Sequence, residues 1–364
     1  MANIVIEALT EGLVVLWEYL SQHTLTCLVP AFFIAGAIAV FVQREAILRY
    51  LGPRVPGYVS YPISAVSGTV LAVCSCTILP LFAGIYRKGA GIGPASAFLY
   101  SGPAINIMAI AFTASALGYD LGLARAVAAI ALSFVVGWGM ALVFRKEERA
   151  RAEQQGEEAT GPTPVGSGPG DSGDGRPGRA TLLIFALLVT ILVVGTAAID
   201  WRMKVLVVPA LAIVAAAIVW RSIPPEEREE WGWETWDLAR KILPALLLGA
   251  FVVGVIGYFI PADSFAPYLG DNSVGSVLLA AIIGGILYMP TLLEVPIVGD
   301  LLGYSDGAMA AGPALALLLA GPAVSLPNMI VLYRLVGGRV TAVYLVLVIG
   351  ASTIAGLIYG NLVS

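Results

Sequence analysis

Two thiols flank one serine in Cys74-Ser75-Cys76-Thr77, and Pro80 follows three residues later. Thiolates are soft ligands, so this pair selects soft partners such as Cu(I), zinc or, by the same logic, trivalent arsenic. In an extended strand the two sulfurs point to opposite faces. In an unwound turn they converge. Pro80 removes an amide donor and favours a break just before it. Carbonyls and hydroxyls freed by such a break must face protein or a cavity, because lipid offers them no partner. Cys74 and Cys76 are therefore candidate metalloid ligands, with Ser75 and Thr77 as candidate lining. The alternative is plain packing, since free cysteine is commonly buried.

A second constellation pairs Ser101-Gly102-Pro103 and Asn106 with Gly321-Pro322, Ser325 and Asn328, and Pro327 adds a further break. A proline that starts a new half-helix leaves free amides at a partially positive end. Two such ends suit an anionic or lone-pair-bearing substrate. Asparagine supplies both donors and acceptors. The bland alternative is that Gly and Pro only kink packed helices. The third feature is Glu294, between Pro290 and Pro296. An acid at the centre of a membrane helix costs roughly 2.5–3.5 kcal/mol on insertion scales. Glu294 is a candidate proton carrier; it could equally pair with a base, coordinate a cation or bond a neighbour such as Thr291. Tyr100, Tyr288 and Met289 stand beside these breaks and could line the same space.

The elements that must position these groups are membrane helices. The chain is 59% hydrophobic and 12% charged, with a mean hydropathy of +0.89. Soluble proteins carry about 25% charge. The class is all-α, a polytopic helical membrane protein. Short alternating segments of a membrane β-barrel are not seen. Spans are expected at about 24–42, 90–117, 121–144, 180–199, 204–221, 240–260, 308–335 and 339–360, with interrupted apolar segments at 59–85 and 274–297. Residues 1–23 hold an amphipathic helix with Glu7, Glu11 and Glu18 on one face. The Gly-, Pro- and Glu-rich stretch 145–179 reads as a disordered cytoplasmic linker. It separates a first transmembrane repeat at 24–144 from two connecting helices at 180–225. A second repeat at 226–364 is led by an interfacial segment holding Trp231, Trp233 and Trp236. No Walker loop, Ser-His-Asp set or basic nucleic-acid patch is present, and His23 is the single histidine. The expectation is a non-enzymatic protein of the plasma (inner) membrane without a cofactor or nucleic-acid partner.

Pro94 to Ala104 and Pro313 to Ala323 repeat each other, with Gly102-Pro103 answering Gly321-Pro322. Basic residues of short loops mark the cytoplasmic side. Arg44, Arg49, Arg54, Arg87 and Lys88 put both ends of 59–85 inside. Asp263, Asp271, Asp300 and Asp306, with no Lys or Arg nearby, put both ends of 274–297 outside. Arg202 and Lys204 are the exception. Each repeat thus reads as a re-entrant hairpin plus a Gly-Pro-broken helix, the two repeats inverted across the bilayer. Discontinuous helices in matching positions of two halves mark a transporter's substrate site.

At these residues the chain resembles the predicted-permease family that includes the organoarsenical efflux permeases of the ArsP type. The resemblance rests on Cys74 to Leu81, on Gly84-Ile-Tyr-Arg-Lys-Gly89, on Gly93-Pro-Ala and Ser101 to Asn106, and on Ala320 to Ala323 with Pro327-Asn328. It implies export of trivalent organoarsenicals by members with a suitable thiol. His-rich loops expected of copper or zinc exporters are missing here. The function expected is a secondary permease for a soft, thiol-reactive solute. A permease for a small anion or sulfur compound, and a membrane thiol oxidoreductase, are the alternatives.

Overall fold

The computed structural model describes residues 2–19, 29–41, 44–52, 55–71, 75–150, 153, 179–196, 201–259, 265, 267–286 and 293–363. Every regular element among them is a helix. In order these are α1 (Ala2–Tyr19), α2 (Val29–Phe41), α3 (Arg44–Leu51), α4 (Gly57–Leu71), α5 (Ser75–Arg87), α6 (Ile92–Ala104), α7 (Ile107–Ala116) and α8 (Tyr119–Val143). Then come α9 (Arg179–Thr196), α10 (Trp201–Ser222), α11 (Pro225–Phe259) and α12 (Val274–Ile286). A short turn Glu294–Pro296 runs into π-helical residues Ile297–Leu301, and α13 (Ala311–Val324), α14 (Leu326–Val336) and α15 (Gly338–Val363) complete the chain.

Among the described residues two helices, α8 and α15, are long and apolar enough to cross a bilayer alone, at 25 and 26 residues. Each starts just after a glycine at positive φ, Gly118 at 110° and Gly337 at 84°. That conformation is open to glycine without strain. The pairs α6–α7 and α13–α14 reach spanning length only together, and they bend by 42° and 44°. The remaining expected spans coincide with α2, α9, α10 and the later part of α11.

The two halves use the same packing order. α4 lies on α6 and α6 on α8; α12 lies on α13 and α13 on α15. Glycines set these crossings. A Cβ on Gly137 would fall 2.9 Å from Ala97 Cβ and 3.1 Å from Gly93 O. A Cβ on Gly356 would fall 2.9 Å from Ala316 Cβ and 2.6 Å from Gly312 O. Gly68 on α4 abuts Ser101 and the Gly102 backbone, while Gly284 on α12 abuts the Gly321 backbone. Small residues let apolar helices approach closely where no hydrophobic effect drives association. Each half also reaches across. α5 touches α14, and the Glu294 turn touches α7. α2 packs on α11, flanked by α9 and α1 respectively.

Several expectations shift in detail. The interfacial segment and the following span form one continuous helix, α11. Trp231 is buried: its Nε1 donates to Phe33 O at 2.9 Å and its ring meets Phe33 and Phe41 edge-on. Trp233 and Trp236 remain exposed. Residues 145–150, placed in the linker, are helical; there Glu147 Oε1 accepts from Arg339 Nη1 at 2.7 Å. The stretch 154–178 lies outside the described residues, as do Cys27 and His23.

Candidate functional site

The Gly-Pro pairs do not mark the breaks themselves. Pro103 sits inside the last turn of α6 and Pro322 inside that of α13. The chain turns two to three residues later, at Ile105-Asn106 and at Ser325. A proline spoils the bond to the carbonyl four residues back, so it weakens a helix without fixing where it ends. The new half-helices start elsewhere. Asn106 caps α7, its Oδ1 accepting from Met108 N at 3.0 Å and Ala109 N at 3.4 Å. Ser325 precedes α14, and Pro327 stands in its first turn. An N-terminal proline fits there because that amide has no intrahelical acceptor.

Ser101 is buried and donates from Oγ to Phe98 O at 3.1 Å, with Ser64 O also in reach at 3.4 Å. Gly102 and Pro103, like Gly321 and Pro322, are buried in the helix crossings. Ser325 and Asn328 are buried, and Ser325 Oγ and Asn328 Oδ1 have no hydrogen-bond partner among the described residues. Thr77 is buried on α5. Pro80 does not interrupt that helix, which runs unbroken from Ser75 to Arg87. Cys74 lies outside the described residues, and Ser75 and Cys76 are placed only as backbone at the start of α5. Tyr288, Met289, Pro290 and Thr291 also lie outside them.

The structure supplies Glu294 with a base. Arg125 Nη2 donates to Glu294 Oε2 at 3.0 Å, and both side chains are 0% exposed. Arg125 Nη1 donates to Thr113 Oγ1 at 2.9 Å, and Thr113 in turn donates to Ala109 O at 2.8 Å. Glu294 Oε1 and Arg125 Nε keep unused hydrogen-bonding capacity among the described residues. Gly321 makes room for the carboxylate, since a Cβ there would lie 2.9 Å from Glu294 Oε1. The pair thus ties α8 and α7 of the first half to the Glu294 turn of the second. Removing one partner of a buried pair strands the other charge, at about 3–5 kcal/mol.

Arg125 escaped the sequence reading, although the sequence carries a signal for it. It is the single Lys or Arg of α8, more than a turn inside an apolar helix. Ionisable residues at such positions face a protein interior and mark function. Beside the pair, Tyr100 OH donates to Leu319 O at 3.4 Å, joining α6 to α13. Tyr344 is fully buried on α15 with its hydroxyl unpartnered among the described residues.

Apolar helices, among them two bent pairs, around a buried ion pair define a helical membrane protein. The whole chain places it more closely. The predicted permease family ArsP_1 matches residues 10–361, so the chain belongs to that family. It is 38% identical over 355 residues to the UPF0718 protein MJ0584 of Methanocaldococcus jannaschii, spanning 94% of this chain and 93% of the relative. It is 26% identical over 307 residues to the UPF0718 protein YraQ of Escherichia coli, spanning 83% and 67% of the two chains. A shorter match, 24% over 125 residues, links it to the UPF0718 protein YcgR of Bacillus subtilis. No solved structure matches the chain. Membership of a permease family and the apolar helices make this a membrane permease for a small solute.

Proposed function

We propose that this permease exports trivalent organoarsenicals, or another soft thiol-reactive solute, across the plasma membrane by alternating access between two inverted repeats. Cys74 and Cys76 hold the soft atom. Asn106, Ser325 and Asn328 supply the polar wall, with Ser75, Thr77, Ser101 and the Gly-Pro crossings Gly102-Pro103 and Gly321-Pro322 around it. Glu294 carries a proton in exchange. The observation that carries this reading is the meeting of the two halves on one buried polar junction, where Arg125 of the first holds Glu294 of the second. The recurrence of crossings and bends in both halves supports the repeat. The Cys-x-Cys spacing and the family support the cargo.

Cells expressing the chain should tolerate methylarsenite or a phenylarsenite better than empty cells, and the gain should vanish when Cys74 and Cys76 are replaced by serine. Equal tolerance, with the protein present in the membrane, would remove this cargo.

A second reading has its own observation. Arg125 is fully buried, with one donor uncommitted among the described residues, which suits a small anion in place of the arsenical. Transport retained in the double serine variant would favour it.

A further inference from the structure

The geometry points to the Arg125–Glu294 pair as a charge lock that seals one face of the permease and opens when Glu294 takes up a proton. This rests on the transport reading above and deepens it, by assigning to Arg125 a role as the positioning residue for that acid.

The lock lies toward one end of the molecule. Arg125 stands six residues into α8, about 9 Å from its start at Tyr119 at 1.5 Å per residue. Next to that start is the α7–α8 corner, where Leu117 lies against Gly299 of the π-helical turn. Loop charge assigns this end, with Tyr119 and Asp300, to the outside. The ion pair therefore pins the second hairpin under the outer corner of the first half. At the other end the charge pairs, Arg87 with Asp237 and Arg339 with Glu147, are solvent-exposed rather than buried. Arg125 and Tyr344 stand 219 residues apart, the separation that also relates Tyr100 to Leu319. At Tyr344 the first half's guanidinium is replaced by an uncharged phenol, and the same separation from Glu294 falls on Ser75, which is also uncharged. Among the described residues, only the outer face is closed by a buried charge pair.

Among the described residues, the elements around Glu294 offer it no second charged partner, which leaves the proton. α7 and α13 carry no titratable side chain. The π-helical turn carries Asp300, which is exposed. α8 brings Arg125 and α6 brings Tyr100, whose hydroxyl is used on Leu319 O. Moving the hairpin off α8 with both groups charged would leave two bare ions at low dielectric, which the interior does not tolerate. A proton on Glu294 Oε1, the oxygen Arg125 does not use, converts the carboxylate to an acid and removes the attraction. Arg125 keeps its hydrogen bond to Thr113.

The test reads accessibility rather than transport. Val298 is buried on the π-helical turn and Asp300 is exposed beside it. Val298→Cys and Asp300→Cys, each in otherwise native protein, are labelled with a membrane-impermeant thiol reagent from outside sealed cells. Labelling is counted at the peptide level, and the rate at 298 is divided by that at 300 to cancel thiolate chemistry. The ratio should rise about tenfold or more as outside pH falls from about 8 to about 5. Adding Glu294→Gln should hold it high at both values. A flat ratio with the native pair, or a low ratio with Glu294→Gln, overturns the lock. If Val298→Cys does not fold, infrared difference spectra of purified native protein serve instead. A carboxylic C=O band should appear on acidification and be lost in Glu294→Gln; its absence overturns the lock as well. Arsenical tolerance can fail while the ratio still responds, so cargo and lock are judged separately.

Discussion

Tyr100 and Leu319 hold the same place in the two repeated segments, and they meet: the Tyr100 hydroxyl donates to the Leu319 carbonyl at 3.4 Å. This contact sets α6 of the first half directly against α13 of the second. The bond is long, and neutral hydrogen bonds add about 0.5–1.5 kcal/mol net. Tyr100→Phe should therefore lower thermal stability in detergent only slightly. A collapse of folding would mean that the hydroxyl does more than bridge the halves.

Arg125 and Glu294 should behave as a unit. Arg125→Gln should destabilise by about 3–5 kcal/mol because it strands a buried carboxylate. Glu294→Gln strands the guanidinium in the same way. The double variant Arg125→Gln with Glu294→Gln should recover much of the loss, since two neutral amides can bond each other. Additive losses in a thermal-unfolding cycle would contradict direct coupling.

The glycines separate close approach from bystanders. A Cβ on Gly356 falls 2.6 Å from Gly312 O, which is backbone and cannot turn aside. Gly350 on the same helix has nothing within 4 Å of its added Cβ. Gly356→Ala should lower the melting temperature markedly. Gly350→Ala should be neutral or stabilising by up to about 1 kcal/mol, the usual cost of glycine inside a helix. Scanning fluorimetry of the two variants side by side decides this.

Asp237 ties α11 to α5. Lys241 Nζ donates to it at 2.6 Å and Arg87 Nη1 at 3.3 Å. The Lys241 hydrogen bond first, then the Lys241 and Arg87 charges, hold its carboxyl below the usual range. A depressed folded pKa gives stability that is present above the ordinary Asp value and lost as pH falls through the lower one. Asp237→Asn should thus cost a fraction of a kcal/mol at neutral pH, of the size of exposed pairs at about 0.2–1 kcal/mol. The difference from the native protein should shrink on acidification below the carboxylate range and in high salt. A penalty that persists in acid would contradict the ionic origin.

Much of this architecture was legible in the chain. Apolar content announced helices in a membrane, and the matched spacing of Gly102-Pro103 and Gly321-Pro322 announced two broken pairs. The place of the breaks was not legible. Proline weakens a helix over the turn before it, and the cap that ends the weakness, Asn106 in one half and Ser325 in the other, depends on packing. The ion pair was half legible. Glu294 stood out as a lone acid, but its partner is 169 residues away, and periodicity within a segment carries no information about contacts at that distance. The packing of Trp231 was hidden for a related reason, since its partners Phe33 and Phe41 lie about 190 residues away or more.

The central claim is that the two hairpins approach the junction from opposite sides of the bilayer. Sided labelling of single cysteines at Lys88 and Asp300 with an impermeant reagent tests it most directly. Lys88→Cys should react only from the cytoplasmic side and Asp300→Cys only from outside. Reaction of both from one common side would contradict the inverted arrangement and the shared junction built on it.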